Sequence, residues 1–164
     1  MSIEKVRAYF HELGIEDRIM EFEESTATVR EAAAVNGVEE GQICKTLSFQ
    51  DPADPDGCLL IQMAGDAKTN NQKFKQTFHF KAKMLSADDA VRITGHAVGG
   101  VCAFGIDNPK VRVYCDESLK RFDTVLPAAG SSNSAIRFTC DELFRYSKAI
   151  SWIDVTKLPE AQAE

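Results

Sequence analysis

Paired cysteines, histidines and long apolar runs are missing or sparse in this sequence, and each gap removes a class of protein. The five cysteines (Cys44, Cys58, Cys102, Cys115, Cys140) are odd in number and never closer than 13 residues. Neither a CxxC redox site nor a zinc ribbon can be built from such spacing, and reduced thiols in a cytoplasmic setting are the expectation. No run reaches the roughly 18 apolar residues of a membrane-spanning helix, and no apolar core follows the Met-Ser-Ile-Glu-Lys start, so neither a span nor a leader is predicted. The phosphate cradles GxGxxG and GxxxxGK(S/T) are absent, and the carboxylates show no metal-ligand spacing. No cofactor and no metal are therefore expected. With only three histidines, no Ser-His-Asp or Cys-His set follows from spacing.

Glycine is scarce too, with ten in 164 residues, yet four of them fall between Gly95 and Gly105. The segment Gly95-His96-Ala97-Val98-Gly99-Gly100-Val101-Cys102-Ala103-Phe104-Gly105 is apolar, unlike a solvent loop. It reads either as the wall of a pocket or as a bulged, tightly packed strand. Within it, His96 is a candidate ligand contact or a hydrogen-bonded structural histidine. Cys102 is a candidate nucleophile or a small buried residue.

The net charge is −6, which argues against general affinity for DNA or other nucleic acid, but it is uneven. Residues 68–83 hold Lys68, Lys73, Lys75, Lys81 and Lys83 and no acid, interleaved with Phe74, Phe78 and Phe80. Such a window is either a phosphate-binding patch or a solvated helix face.

Lys45 stands out by strand parity. In the β-rich run 43–50, Ile43, Leu47 and Phe49 share its side, while Cys44, Thr46, Ser48 and Gln50 are small or polar. The lysine therefore points toward the side expected to meet the core, where an ammonium needs an acid, carbonyls or an anionic ligand. Snorkelling to solvent is the alternative.

The remaining elements follow from local signals. Ser2 begins a helix ended by Gly14, and 18–22 reads as a short strand. Thr28-x-x-Glu31 starts a helix that Gly37 closes. Strands 43–50 and 58–64 flank Asp51-Pro-Ala-Asp-Pro-Asp-Gly57 and form a hairpin. Helix 71–77, a strand near 79–85 and a Ser86-capped helix ending at Thr94-Gly95 come next. After the glycine segment follow a strand at 111–115, a short helix after Asp116, strands at 123–128 and 134–138 around Gly130-Ser131-Ser132-Asn133, a Thr139-capped helix and a strand at 150–155. The intermixing predicts an α+β fold, a single compact domain over 1–158 with a mixed, partly closed β-sheet surrounded by helices and a loose tail at 159–164.

The order of motifs is more specific than any one of them. Thr28-Val-x-Glu31-Ala32-Ala33, Gly37-Val38, Gln42-Ile43-x-Lys45-x-Leu47-x-Phe49 and Gly65-Asp66 come first. Thr94-Gly95, Gly99-Gly100-x-x-x-Phe104-Gly105, Asp116-x-x-Leu119 and Ala129-Gly130 ahead of Ile136 follow. From about residue 20 to 155 the chain resembles the YbaK family, relatives of the editing domain inserted in bacterial prolyl-tRNA synthetases.

That resemblance implies a trans-editing deacylase that cleaves the ester of mischarged tRNA, with cysteine or another small amino acid on tRNA(Pro) as substrate. It makes Lys45 and Gly100 the catalytic positions and Gly99 part of the substrate-binding loop. Phe22, Thr28, His96, Val101, Cys102 and Gly130 complete the substrate site, and Lys68, Lys73 and Lys75 meet the tRNA. The acceptor end of tRNA is the implied partner, with prolyl-tRNA synthetase a possible second. A non-catalytic module holding an amino acid, nucleotide or partner in the same pocket is the alternative. One departure is clear: Ala103 stands where the family usually has proline before Phe-Gly.

Overall fold

Two runs of β-forming residues broken by a Pro/Asp/Gly linker pair as a hairpin, and everything else is arranged around them. The structure, a computed structural model, describes residues 2–97 and 99–159. Its helices are α1 (Ser2–Glu12), α2 (Val29–Asn36), α3 (Asn71–Phe78), α4 (Ala87–Thr94) and α5 (Cys140–Tyr146). The strands are β1 (Met20–Glu21), β2 (Ile43–Gln50), β3 (Cys58–Ala64), β4 (Lys68–Thr69), β5 (Val111–Asp116), β6 (Thr124–Pro127), β7 (Ser134–Ala135), β8 (Phe138–Thr139), β9 (Trp152–Ile153) and β10 (Thr156–Lys157).

β2 and β3 pair antiparallel from Cys44↔Ala64 to Gln50↔Cys58. They form the middle of a mixed six-stranded sheet in the order β8-β6-β2-β3-β5-β9, in which β6 lies parallel to β2 and β5 parallel to β3. Two small ribbons, β1–β7 and β4–β10, stand apart. The expected α+β class with a mixed, curled sheet and flanking helices is the observed architecture.

β3 is buried along its whole length because both of its faces are covered. Leu59, Ile61 and Met63 pack against Phe74 of α3, Tyr114 and Val155. On the other face, Cys58 and Leu60 meet Ile93 of α4, Ala103 and Val113. Further along that face, Cys44 and Ala64 join Val6 and Phe10 of α1, Phe104 and Phe138. Each such leucine or isoleucine contributes about 1.5–3 kcal/mol on leaving water.

The helix boundaries follow the local code. Thr28 and Thr139 close full capping boxes with Glu31 and Glu142, and Ser86 accepts from the Asp89 amide. Gly37 and Gly95 end α2 and α4 in the left-handed region. The Ser2 side chain lies outside the described residues, as do Val98 of the glycine segment and residues 160–164 of the expected tail.

Several strand expectations need correction. The small and polar even-numbered side of β2 is also covered, with Cys44 and Ser48 buried. Residues 79–85 form no continuous strand: His79 takes a left-handed φ of 67° that ends α3, and only Met84 bridges to Phe49. The run 18–22 shortens to β1, preceded by a 3-10 turn at Glu16–Arg18. The run 134–138 splits, with β7 pairing β1 and β8 pairing β6. Of the run 150–155 only β9 is strand, and β10 follows beyond it in a different sheet.

Candidate functional site

The site begins at an interruption in the sheet. The Ile43 carbonyl accepts from the Gly65 amide, which turns the backbone groups of odd-numbered β2 residues toward β3. The Gln50 amide donates to the Lys83 carbonyl and the Leu85 amide to the Ser48 carbonyl, so even-numbered residues turn outward. On that outer edge β6 pairs only with Ile43 and Cys44, and 83–85 covers only Ser48–Gln50. The amide and carbonyl of Thr46 therefore face a gap where, among the described residues, no strand continues the sheet.

A pocket of about 350 Å³ fills this gap. Its walls are β2 from Ile43 to Ser48, the segment Thr26–Val29 with Ala32, the stretch Met84–Ala87 with Ala90, and Gly99, Val101, Leu126, Ala128, Ser134 and Ala135. The lining is mainly apolar or small, and among the described residues it contains no carboxylate and Lys45 is its one cation. Such a cavity suits a small neutral group carried on a larger polar ligand.

Three loops hold the wall opposite β2. The Thr26 amide donates to the Ser132 carbonyl at 2.6 Å, and the Ser131 hydroxyl bonds the Ser134 hydroxyl at 2.7 Å. Gly99, with φ of 93°, packs against Ala27 and Ser132. Gly100 lies so close to the Gly130–Ser131 backbone that a Cβ would come within 2.9 Å of the Ser131 Cα and N. The Gly100 amide is engaged by the Ala97 carbonyl at 3.0 Å. Among the described residues the Gly99 and Val101 amides have no such acceptor, so they are the loop donors left for a ligand.

Lys45 meets the condition set by its inward parity. Its ammonium donates to the carbonyls of Gly65, at 3.2 Å, and of Ala67. With two of its three N–H bonds so placed, one remains for a ligand. Burial pushes its pKa down from the usual lysine value; the field of Asp66 opposes this and that of Lys68 adds to it. Asp66 itself forms a two-pronged pair with Arg121 rather than a salt bridge to Lys45.

The structure brings Lys45, Thr28, Gly99 and Val101 to one pocket and places the other expected residues around or away from it. Thr28 lines the pocket, but its hydroxyl caps α2. Gly100 and Gly130 lie behind the wall, where Gly100 sets how closely two loops approach. Phe22 packs beside Ala32, Ala33, Ile43 and Leu126, and its backbone is bound on both sides by Asn133.

His96 and Cys102 are not pocket residues. Both are fully buried, and His96 Nε2 bonds the Phe104 carbonyl at 2.8 Å, tying the two ends of the glycine segment together. Cys102 lies beside that ring, and burial pushes its thiol up to about 12. Cys44 does touch the pocket, but burial raises its thiol well above the usual range as well. Neither is a thiolate nucleophile. Ala103 faces Cys58, Leu60, Ile93 and Val113, so the replacement of the family's proline acts on packing behind the loop and not on the pocket surface.

Of the three lysines expected to meet tRNA, Lys73 is already committed. Its ammonium pairs with Asp154 at 3.0 Å and donates to the Thr156 carbonyl at 2.9 Å. Lys68 and Lys75 are exposed. The pocket residues Thr26, Thr46, Met84 and Ser134 were not singled out by sequence, because segments far apart in the chain bring them together.

Comparison with known proteins shows what the chain and its fold are similar to. Residues 23–146 match the family model described as an aminoacyl-tRNA editing domain. YwhH of Bacillus subtilis (strain 168), itself uncharacterized, is 49% identical over 157 residues, 96% of this chain and 98% of that protein. A solved structure described as a candidate trans-editing enzyme for prolyl tRNA synthetase superimposes with a TM-score of 0.83 at 27% identity, covering 95% of this chain and 97% of the other. The hypothetical protein APE2540 superimposes with a TM-score of 0.81 at 29% identity, covering 93% and 99%.

Proposed function

The chain belongs to the aminoacyl-tRNA editing domain family, and on that premise we propose that it is a trans-acting deacylase that hydrolyses the ester of mischarged tRNA. Its substrate in this reading is cysteine or another small neutral amino acid on tRNA(Pro), presented free or by prolyl-tRNA synthetase. The observation that carries the reading is the half-buried Lys45 ammonium, fixed by two carbonyls at the wall of a small pocket free of carboxylates.

The chemistry asks little of the protein beyond placement. Aminoacyl esters are activated, so holding the carbonyl in a fixed field and admitting one nucleophile suffices. The free N–H of Lys45 polarises the ester carbonyl or holds the phosphate of the terminal adenosine. The Gly99 and Val101 amides and the outer edge of Thr46 orient the aminoacyl group. Water adds to the carbonyl carbon, the bond to the ribose oxygen breaks, and that oxygen leaves with a proton. When the amino acid is cysteine, its own thiol can add to the carbonyl instead; the ribose oxygen leaves with the thiol proton, and water then opens the resulting thiolactone to free cysteine.

Purified tRNAs mischarged with cysteine, alanine, serine and other small residues test this, with wild type and Lys45→Ala compared. Wild type is expected to release at least one of them far above the spontaneous rate, and Lys45→Ala to lose most of that excess. No release across the panel overturns the deacylase reading in favour of a binding module. Equal rates for the two proteins remove Lys45 from the mechanism.

A further inference from the structure

Lys68 and Lys157 are directly opposite each other in the β4–β10 ribbon, with Thr69 and Thr156 as the next rung. Opposed residues of an antiparallel pair share a face, so two ammonium groups rise from one side of a ribbon only two residues long. Both lysines are exposed. Thr156, on the other side, is buried and donates to Asp116 at 2.7 Å. The ribbon is thus anchored by its threonine rung and displays its lysine rung.

Like charges in directly opposed positions destabilise a strand pair, and among the described residues neither lysine has an ion-pair partner. The nearby carboxylates are engaged elsewhere: Asp66 by Arg121, Asp154 by Lys73, and Asp116 by the Ser118 and Val155 amides and Thr156. Two further cations hold the same ribbon from beneath. Lys45 donates to the carbonyl of Ala67, next to Lys68, and Lys73 to the carbonyl of Thr156, next to Lys157. Four lysines thus converge on one ribbon of a chain whose net charge is −6. Lys68 also acts on Lys45 through space, which sets the ribbon beside the pocket's own cation.

We propose that the Lys68–Lys157 face of the β4–β10 ribbon is a seat for the phosphodiester backbone of the RNA strand whose 3′ end enters the Lys45 pocket. An anion between the two ammonium groups turns their mutual repulsion into a shared attraction. Lys45 donates to the carbonyl one residue before Lys68, so the ribbon adjoins the pocket's cation. This deepens the deacylase reading and rests on it for the identity of the RNA. It also redraws the basic patch, in which Lys73 is already neutralised by a surface ion pair with Asp154 and Lys157 joins from the other end of the chain.

Binding of an uncharged tRNA(Pro) transcript, followed by fluorescence anisotropy between about 50 and 300 mM salt, tests the seat without reference to catalysis. Lys68→Gln/Lys157→Gln is expected to weaken binding about tenfold at 100 mM salt and to reduce the log–log salt slope by about 1.4–1.8, or 0.7–0.9 per lost phosphate contact. Lys68→Arg/Lys157→Arg restores both if the double glutamine variant is folded and the charge is what matters. Lys110→Gln/Lys148→Gln removes the same charge outside the ribbon and is expected to change the slope less. An unchanged slope in the ribbon variant, an equal effect of the outside pair, or no tRNA binding by wild type at low salt overturns the proposal. Failure of the mischarged-tRNA panel with salt-dependent, ribbon-dependent binding intact would instead overturn the deacylase reading alone.

Discussion

Gly100→Ala isolates the contact that sets the back wall of the pocket. Gly100 does not have a positive φ, so alanine is acceptable to its own backbone and the penalty is steric alone. The added Cβ would sit 2.9 Å from the Cα and N of Ser131 and 3.0 Å from the carbonyl carbon of Gly130, roughly 0.6 Å inside ordinary contact. These are backbone atoms of a turn already tied by the Thr26–Ser132 and Ser131–Ser134 hydrogen bonds, so no side chain can swing aside. Overpacking of this kind costs about 1–3 kcal/mol, offset by about 0.4–1 kcal/mol because alanine restricts the unfolded chain. The net loss of about 0.5–2 kcal/mol lowers Tm by about 1–8 °C in a domain of this size.

Gly99 and Val101 flank the displaced residue and line the pocket, so kcat/KM on mischarged tRNA is expected to fall about tenfold to a hundredfold. Gly37→Ala is the control. There φ is 66° and a Cβ meets nothing within 4 Å, so it is expected to cost about 1–2 kcal/mol of stability and leave kcat/KM unaltered. Wild-type melting and activity in Gly100→Ala, or loss of activity in Gly37→Ala that tracks its stability, would refute the reasoning.

Three other outcomes are expected. Cys102→Ala keeps deacylase activity, because that thiol is buried and pushed up to about 12; its loss, checked with the same panel, would restore a nucleophilic cysteine. The catalysed excess over spontaneous hydrolysis requires the protonated form of Lys45, whose pKa is lowered by burial. That excess therefore declines as pH rises, with a midpoint below 10.5, and a pH–rate profile with no alkaline decline up to that value would contradict the role given to the ammonium. Arg18 holds Glu142 down to about 2 from 4.5. The pair's contribution to stability is thus complete above pH 4.5 and lost as pH falls toward 2. Arg18→Met should flatten that part of the acid-unfolding curve, and an unchanged curve would show the pair contributes nothing.

The capping boxes at Thr28 and Thr139 and the glycine stops at Gly37 and Gly95 were legible because they depend on groups three or four residues apart. The β2–β3 hairpin was legible for a similar reason, since two β-rich runs flank one short Pro/Asp/Gly linker. The two-residue strands were not. β4 has no recognisable pattern of its own, and its partner β10 lies almost ninety positions later. His96 and Cys102 were misplaced as pocket residues because a glycine-rich segment does not reveal which of its residues turn inward. The same long-range pairing that hid Lys157 also ties the part-exposed Lys73 to Asp154 and the Thr156 carbonyl.

The amino-acid sequence by itself determined the hairpin, the helix ends and the need of Lys45 for a polar partner, since burial of an ammonium on an apolar strand face is a local fact with a local penalty. Tertiary structure alone decided what answers that need. Carbonyls from the turn after β3 hold the lysine, the early departure of β6 from β2 opens the edge at Thr46, and contact between Gly100 and the Gly130–Ser131 turn closes the opposite wall. Each of these depends on segments that meet only when the sheet forms, and their side chains carry no mark of that meeting.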